Sequence, residues 1–254
     1  FGGSQNGGRN DTWALDLVSR QWVIKQAHSS KAPMMARTEV TGAFVYDSQN
    51  DIFVLFGGRC GDNRCTPSGR PLGDTWTYKL STNTWTEKTP AVSPPARMQH
   101  HMAYDAENGL VILFGGIKTD SYASGSVTEE TVLDDLWIYD VASNTWTEIP
   151  QGTRPEKRYV GAITYDPLNK VIVLYGGNGP GKKGKGDVWQ LKITKQYLGI
   201  NQLPVTEFSS SGTHGNTLTE FEFDASASID PDGHIATYVW DFGDGHSAAG
   251  QVTS

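Results

Sequence analysis

The sequence lacks any apolar run of the ~18 residues that a membrane-spanning helix needs, so it offers no candidate for one. Lysine-rich and low-complexity runs are also missing. Cysteine is scarce. The only two, Cys60 and Cys65, lie close together in GRCGDNRC. A zinc site needs four ligands, and no histidine or second cysteine pair adjoins them. They read as a local disulfide pinning a long loop, if the protein is secreted, or as two free thiols. Basic residues are absent from one end: from residue 196 onward there are eight of the 28 acidic residues and none of the 21 basic ones. An acidic tail in a chain of net charge −7 argues against a nucleic-acid partner. There is no initiator methionine, so the chain reads as processed or as a piece of something longer.

Glycine and tryptophan are plentiful, with 29 and 8 residues, and spaced turn residues separate short apolar segments. That pattern points to an all-β protein large enough to bury a real core. Three segments align: DIFVLFGG (51–58), GLVILFGG (109–116) and KVIVLYGG (170–177). The opening FGG resembles the tail of a fourth copy. After each comes a second element, namely DTWALD (11–16), DTWTYK (74–79), DLWIYD (135–140) and DVWQLK (187–192). In three copies another tryptophan follows nine residues later, pairing Trp13 with Trp22, Trp76 with Trp85 and Trp137 with Trp146; Trp189 stands alone. Runs of five or six β-branched and apolar residues are too short for helices and read as strands buried on both faces.

Turns YDSQND, YDAENG and YDPLNK precede the apolar strands, and further strands such as QHHMAY (99–104) and VGAITY (160–165) precede the turns. Each unit then holds four antiparallel strands in ~50–60 residues, the size of one propeller blade. The glycine pairs Gly57–Gly58, Gly115–Gly116 and Gly176–Gly177 permit positive φ or close approach of a neighbouring backbone. Each tryptophan offers a large surface to fill the space between blades. The order apolar strand, Gly-Gly, loop, Asp-x-Trp, turn, Trp resembles the kelch repeat of β-propellers over about residues 1–194. The glycine-rich stretch LYGGNGPGKKGKGD (174–187) superficially fits a phosphate loop, but it leads into the strand DVWQL, whereas a phosphate loop must open a helix.

Beyond Leu203 the composition shifts to Ser, Thr and Asp. FDASASIDPDG (223–233) and YVWDFGDG (238–245) resemble a PKD domain, a small immunoglobulin-like sandwich, with Trp240 as a core residue. Asp224, Asp230, Asp232, Asp241 and Asp244 offer hard oxygen ligands suited to calcium, against the plainer reading that aspartate before Pro or Gly caps turns. No other cofactor is expected.

The expected architecture is therefore a partial kelch propeller of about three and a half blades at 1–194, a linker at 195–203, and an incomplete PKD sandwich at 204–254. The last blade lacks a second tryptophan, and its missing strand is expected from sequence upstream of Phe1, as in the C-terminal part of a larger propeller. Some kelch-like propellers resemble galactose oxidase, which implies a copper held by two histidines and two tyrosines. Here the adjacent His100 and His101 lie on one strand, which sends them to opposite faces. The pairs Glu129–Glu130 and Asp134–Asp135 read as solvated loop surface without the facing geometry a glycosidase needs. Asn10-Asp11-Thr12 matches a glycosylation acceptor, or is a chance match beside the DTW motif. What remains is loop surface: 58–73, 116–133 and GPGKKGKG, with Arg64, Arg70, Lys118, Tyr122, Lys182 and Lys183 as contact residues. The resemblance implies an extracellular or cell-surface protein that binds protein or glycan partners in adhesion or surface assembly. The alternative is a fragment of a secreted carbohydrate-acting or oxidising enzyme.

Overall fold

A computed structural model describes residues 1–2, 8–27, 35–38, 40, 42–61, 65, 69–119, 127–150, 152–193, 205–212, 221–229, 235, 237–242 and 244–253. The chain divides into two compact units, Phe1–Lys192 and Ile193–Ser254. Among the described residues the regular structure is almost wholly strand, with one turn of 3-10 helix at Pro180–Lys182.

The first unit is a row of antiparallel sheets. Strands β1 (Thr12–Asp16) and β2 (Gln21–Gln26) form a ribbon. In the second sheet two short strands, β3 (Arg37–Thr38) and β4 (Phe44–Asp47), share one edge of β5 (Ile52–Cys60). Strands β6 (Pro71–Lys79) and β7 (Thr84–Lys88) continue that sheet. The third sheet runs β8 (His101–Asp105), β9 (Leu110–Ile117), β10 (Val132–Asp140) and β11 (Thr145–Ile149) in order. The fourth holds β12 (Ala162–Asp166), β13 (Val171–Tyr175) and β14 (Val188–Leu191). Neighbouring sheets meet through their first strands, β4 against β8 and β8 against β12.

Local chemistry sets each hairpin. Between first and second strands, Asp47, Asp105 and Asp166 each accept two backbone N–H bonds through Oδ1, and a side-chain amide from Asn50, Asn108 or Asn169 through Oδ2. The next residue, Asp51, Gly109 or Lys170, turns the chain at positive φ. This is the Asx-type turn that competes with continued strand. Between third and fourth strands, Asn83 and Asn144 take positive φ, and each accepts the hydroxyl of Tyr78 or Tyr139.

Two boundaries differ from the sequence reading. Strands begin at His101 and Ala162 rather than at 99 and 160, because Gln99 and Val160 sit at φ of 56° and 47° and break the extended run. The Gly-Gly pair does not end strands β5 and β9. The ladder shifts register there and then continues.

Tryptophan packs sheet on sheet. Trp85 donates its indole N–H to Thr12 Oγ1 of the preceding sheet, and Trp146 donates to Thr75 Oγ1, both at 3.0 Å. Trp146 also meets Phe56 edge-on at 5.2 Å. Trp76, Trp85, Trp137 and Trp146 are buried in one apolar cluster with Val54, Leu55, Phe56, Val111 and Leu113. Trp13 and Trp22 depart from the expectation that every tryptophan fills a gap between blades. They are 46% and 64% exposed, since no described sheet packs on that side of the β1–β2 ribbon.

In the second unit, β15 (Ser209–Ser210), β16 (Phe223–Asp224) and β19 (Val252–Thr253) form one small sheet, and β17 (Val239–Asp241) and β18 (Ser247–Ala249) another. Half-buried Trp240 joins them. Its ring lies 5.7 Å from those of Phe208 and Phe223, and its N–H donates to Gly250 O.

Candidate interaction surface

The loops that follow the Gly-Gly pairs rise from a repeated clamp. In Asp-x-Trp the two side chains lie on one face of a strand, so the indole N–H of Trp76, Trp137 and Trp189 reaches Oδ2 of Asp74, Asp135 and Asp187 at 2.6–2.8 Å. Each carboxylate also holds a fully buried arginine side chain in two parallel bonds: Arg37 to Asp74, Arg97 to Asp135, Arg158 to Asp187. The same guanidinium donates to the carbonyl of the first glycine, Gly57, Gly115 or Gly176. The first ribbon carries an open version, in which Arg9 and Trp13 both donate to Asp11.

The glycines complete the clamp. Gly58 N–H donates to Arg97 O and Gly116 N–H to Arg158 O, both at 2.9 Å, so each arginine is bonded through its backbone to one sheet and through its side chain to the next. Gly57 and Gly115 sit at φ of 59° and 65°, and a Cβ there would lie 2.7 and 2.5 Å from those same carbonyls. Only glycine meets both demands.

Electrostatics reflect this geometry. Hydrogen bonds from Arg9 hold Asp11 down at about 2, and those from Arg158 push Asp187 lower still. Burial works to raise Asp74 and Asp135, but the bonds and charge of Arg37 and Arg97 outweigh it, so both also stay below the usual carboxylate range. A buried guanidinium needs a carboxylate of this kind, because an unpaired charge in the interior is costly.

Above the clamps the loops are tied to one another. Gly181 N–H donates to Val127 O, Lys157 Nζ to Glu129 O, Lys185 pairs with Glu156 and Arg154 with Asp134. Ile117, Val127, Val132 and Tyr159 form a small buried base beneath them. The glycine-rich stretch is a closed loop. Gly179 N–H donates to Lys183 O and Lys185 N–H to Gly177 O. These amides bond to carbonyls in place of an anion, and the chain continues into strand β14.

Of the contact residues expected from sequence, Lys118, Lys182 and Lys183 are exposed and Arg70 is half-buried; Arg64 and Tyr122 lie outside the described residues. Cys60 and Cys65 form a disulfide, buried with Leu72 and packed by Met35 at the base of the first loop. Asp224 and Asp244 accept N–H bonds from Ser226 and His246 two residues on, as turn caps do. Asp241 ends β17, and Asp230 and Asp232 lie outside the described residues. Among the described residues no three His, Cys, Asp or Glu side chains gather as a metal site. His100 and His101 face opposite sheets. The His100 ring meets Phe56 of the second sheet, while His101 Nε2 lies 2.7 Å from where a Cβ on Gly161 would stand, ahead of the fourth.

Four aspartate clamps, paired glycines at positive φ and tryptophans that lock the second sheet to the first and the third to the second are the structural content of the repeat. The KLHDC2/KLHL20/DRC7 Kelch-repeats domain matches residues 1–222. The chain belongs to the Kelch-repeat family. A PKD domain matches residues 201–254. The chain is 24% identical over 173 residues to Putative protein tag-53 of Caenorhabditis elegans, covering 67% of this chain and 11% of that protein. It is 24% identical over 183 residues to Mei4-dependent protein 6 of Schizosaccharomyces pombe, covering 66% of this chain and 24% of that one. The chain thus spans a quarter or less of these relatives. Among solved structures, that of YjhT aligns with a TM-score of 0.52 at 18% identity, over 72% of this chain and 48% of that one, and shares the propeller fold. The Kelch and PKD matches support a protein-interaction module.

The sequence reading missed the clamp arginines. Their signal is faint but present: Arg37 precedes Gly57 by 20 residues, and Arg97 and Arg158 precede Gly115 and Gly176 by 18 each.

Proposed function

We propose that this Kelch–PKD chain works outside the cytosol, at a cell surface or in a secreted assembly, and binds protein or glycan partners through the loops above its arginine clamps. The observation that carries this reading is the Cys60–Cys65 disulfide at the base of the first of those loops. Structural disulfides persist in oxidising compartments and are rare in the cytosol. The PKD match favours the same side, since such domains are typical of extracellular proteins, whereas Kelch domains are often intracellular. Adhesion and surface assembly are the roles that suit a rigid row of sheets with tied loops on one end.

The test is to map Cys60 and Cys65 in protein taken from its native source, alkylated before lysis. We expect a closed disulfide, together with labelling of the protein on intact cells or in the medium by a membrane-impermeant reagent. Free thiols in protein shielded from that reagent would overturn the assignment. Binding through the loops is tested separately with Lys182→Glu and Lys183→Glu on protein and glycan arrays, where the double variant should lose captured partners and keep its melting temperature.

A further inference from the structure

The first ribbon meets the second sheet at a backbone junction next to the disulfide. Gly8 N–H, just ahead of the ribbon, donates to Gly61 O at 2.8 Å, and Gly61 N–H donates to Ala36 O at 2.9 Å. Beside them Arg37 N–H donates to Arg9 O at 2.8 Å. The two backbones lie in contact: a Cβ on Gly8 would stand 2.5 Å from Gly61 Cα, and one on Gly61 2.4 Å from Gly8 Cα. Gly61 directly follows Cys60, so the bridge to Cys65 constrains where this junction stands. The third sheet supports the loop after its glycine pair with the apolar base of Ile117, Val127, Val132 and Tyr159. In the second sheet that base is the disulfide itself, with Leu72 and Met35.

The ribbon is lightly fastened elsewhere. The side chain of Arg9 is 37% exposed, where those of Arg37, Arg97 and Arg158 are fully buried. Its other ties to the second sheet are the Trp85–Thr12 bond and one from Asn83 Nδ2 to Lys25 O. Access to the sulfurs is closed in turn. Cys60 is 0% and Cys65 4% exposed, and Met35 Sδ lies 3.5 Å from Cys65 Sγ. Thiol–disulfide exchange requires a thiolate to reach one sulfur. The bond is therefore reducible only when the backbone around it opens.

We propose that the disulfide and the first ribbon form a redox-sensitive latch. The closed bond holds the ribbon docked, and the docked ribbon keeps the bond shut to reductant; such coupling acts equally in both directions. A dithiol reductant opens the latch in two exchanges. Its first thiolate attacks Sγ of Cys65, the less buried sulfur, which forms a mixed disulfide and frees the Cys60 thiolate. Its second thiolate then displaces Cys65, and the reductant leaves as a cyclic disulfide. Two electrons pass to the protein, and the two protons of the dithiol end on Cys60 and Cys65. Gly61 is then no longer held in place beneath Gly8, and the ribbon parts from the sheet that carries Trp85.

The experiment uses the full chain, purified with the bond closed, so it reads the latch independently of where the protein works. Hydrogen–deuterium exchange is compared before and after reduction with dithiothreitol. Peptides covering 8–26 should exchange about tenfold faster once reduced, while those covering 101–117 keep their rate. An unchanged ribbon, or an equal rise in the third sheet, overturns the proposal. The converse arm times the reduction. Thr12→Val removes the oxygen that accepts the Trp85 N–H, and Gly8→Ala places a methyl against Gly61; neither alters a cysteine. Dithiothreitol should reduce both variants about tenfold faster than the unaltered chain, with 101–117 still protected. Unchanged reduction rates in both variants overturn the proposal. So does faster reduction accompanied by faster exchange at 101–117, because the whole unit has then loosened.

Discussion

At the scale of single residues, the fold depends on three charged side chains that are fully withdrawn from water. Arg37, Arg97 and Arg158 have no exposed side-chain surface, yet each is matched by two carboxylate bonds and one carbonyl. Removing one partner of such a pair leaves the other uncompensated, at a cost of about 3–5 kcal/mol. We expect Asp135→Asn to destabilise the protein by that amount in urea unfolding. Asp187→Asn should cost clearly less, because the Asp187 side chain is 41% exposed against 15% for Asp135. Acid should act in two stages. Burial holds His100 well below its ordinary 6.5, with the charges of Arg97 and His101 adding to the effect. Its folded pKa lies under its unfolded one, so the unfolded chain takes the proton first and stability falls as pH drops below 6.5. The clamp aspartates are also depressed, so their contribution is lost only below the ordinary carboxylate value of 3.8. His100→Leu should flatten the first stage of a Tm–pH curve and leave the second in place. The sequence reading passed over these arginines. The stretches around them share no strand pattern, and the spacing to the glycine is 18 residues in two copies and 20 in the third.

At the scale of elements, the paired glycines, the Asp-x-Trp strands and the Asx turns were legible because one physical demand recurs in each copy. Strand ends were not, since they depend on long-range facts. The register shift at Gly57–Gly58 lets β5 run on to Cys60, where it pairs with Arg37 across a distant loop. The disulfide there closes a short loop, and its reduction should lower stability by about 2 kcal/mol. Differential scanning with and without reductant would read this, with Cys60→Ala as the control that abolishes the difference. The tryptophans divide by neighbour rather than by position in the repeat. Trp146→Ala, at 2% exposure, should cost about 3–5 kcal/mol. Trp22→Ala, at 64% exposure, should change stability by no more than about 0.5 kcal/mol.

At the scale of the whole molecule, the first unit is a row of sheets in which Arg97 and Arg158 each fasten one sheet to the next. The candidate surface was only half legible in advance. Length and polarity picked out the loops, but the ties from Lys157, Lys185 and Gly181 connect residues far apart in sequence and have no local signature. Hydrogen–deuterium exchange on the full chain tests the central claim most directly. If buried clamps join the sheets, peptides spanning Gly57–Gly58 and Gly115–Gly116 should be among the slowest to exchange. Those covering 181–184 and the β1–β2 ribbon should exchange fastest within the first unit. Exchange at the glycine pairs as rapid as at 181–184 would contradict it.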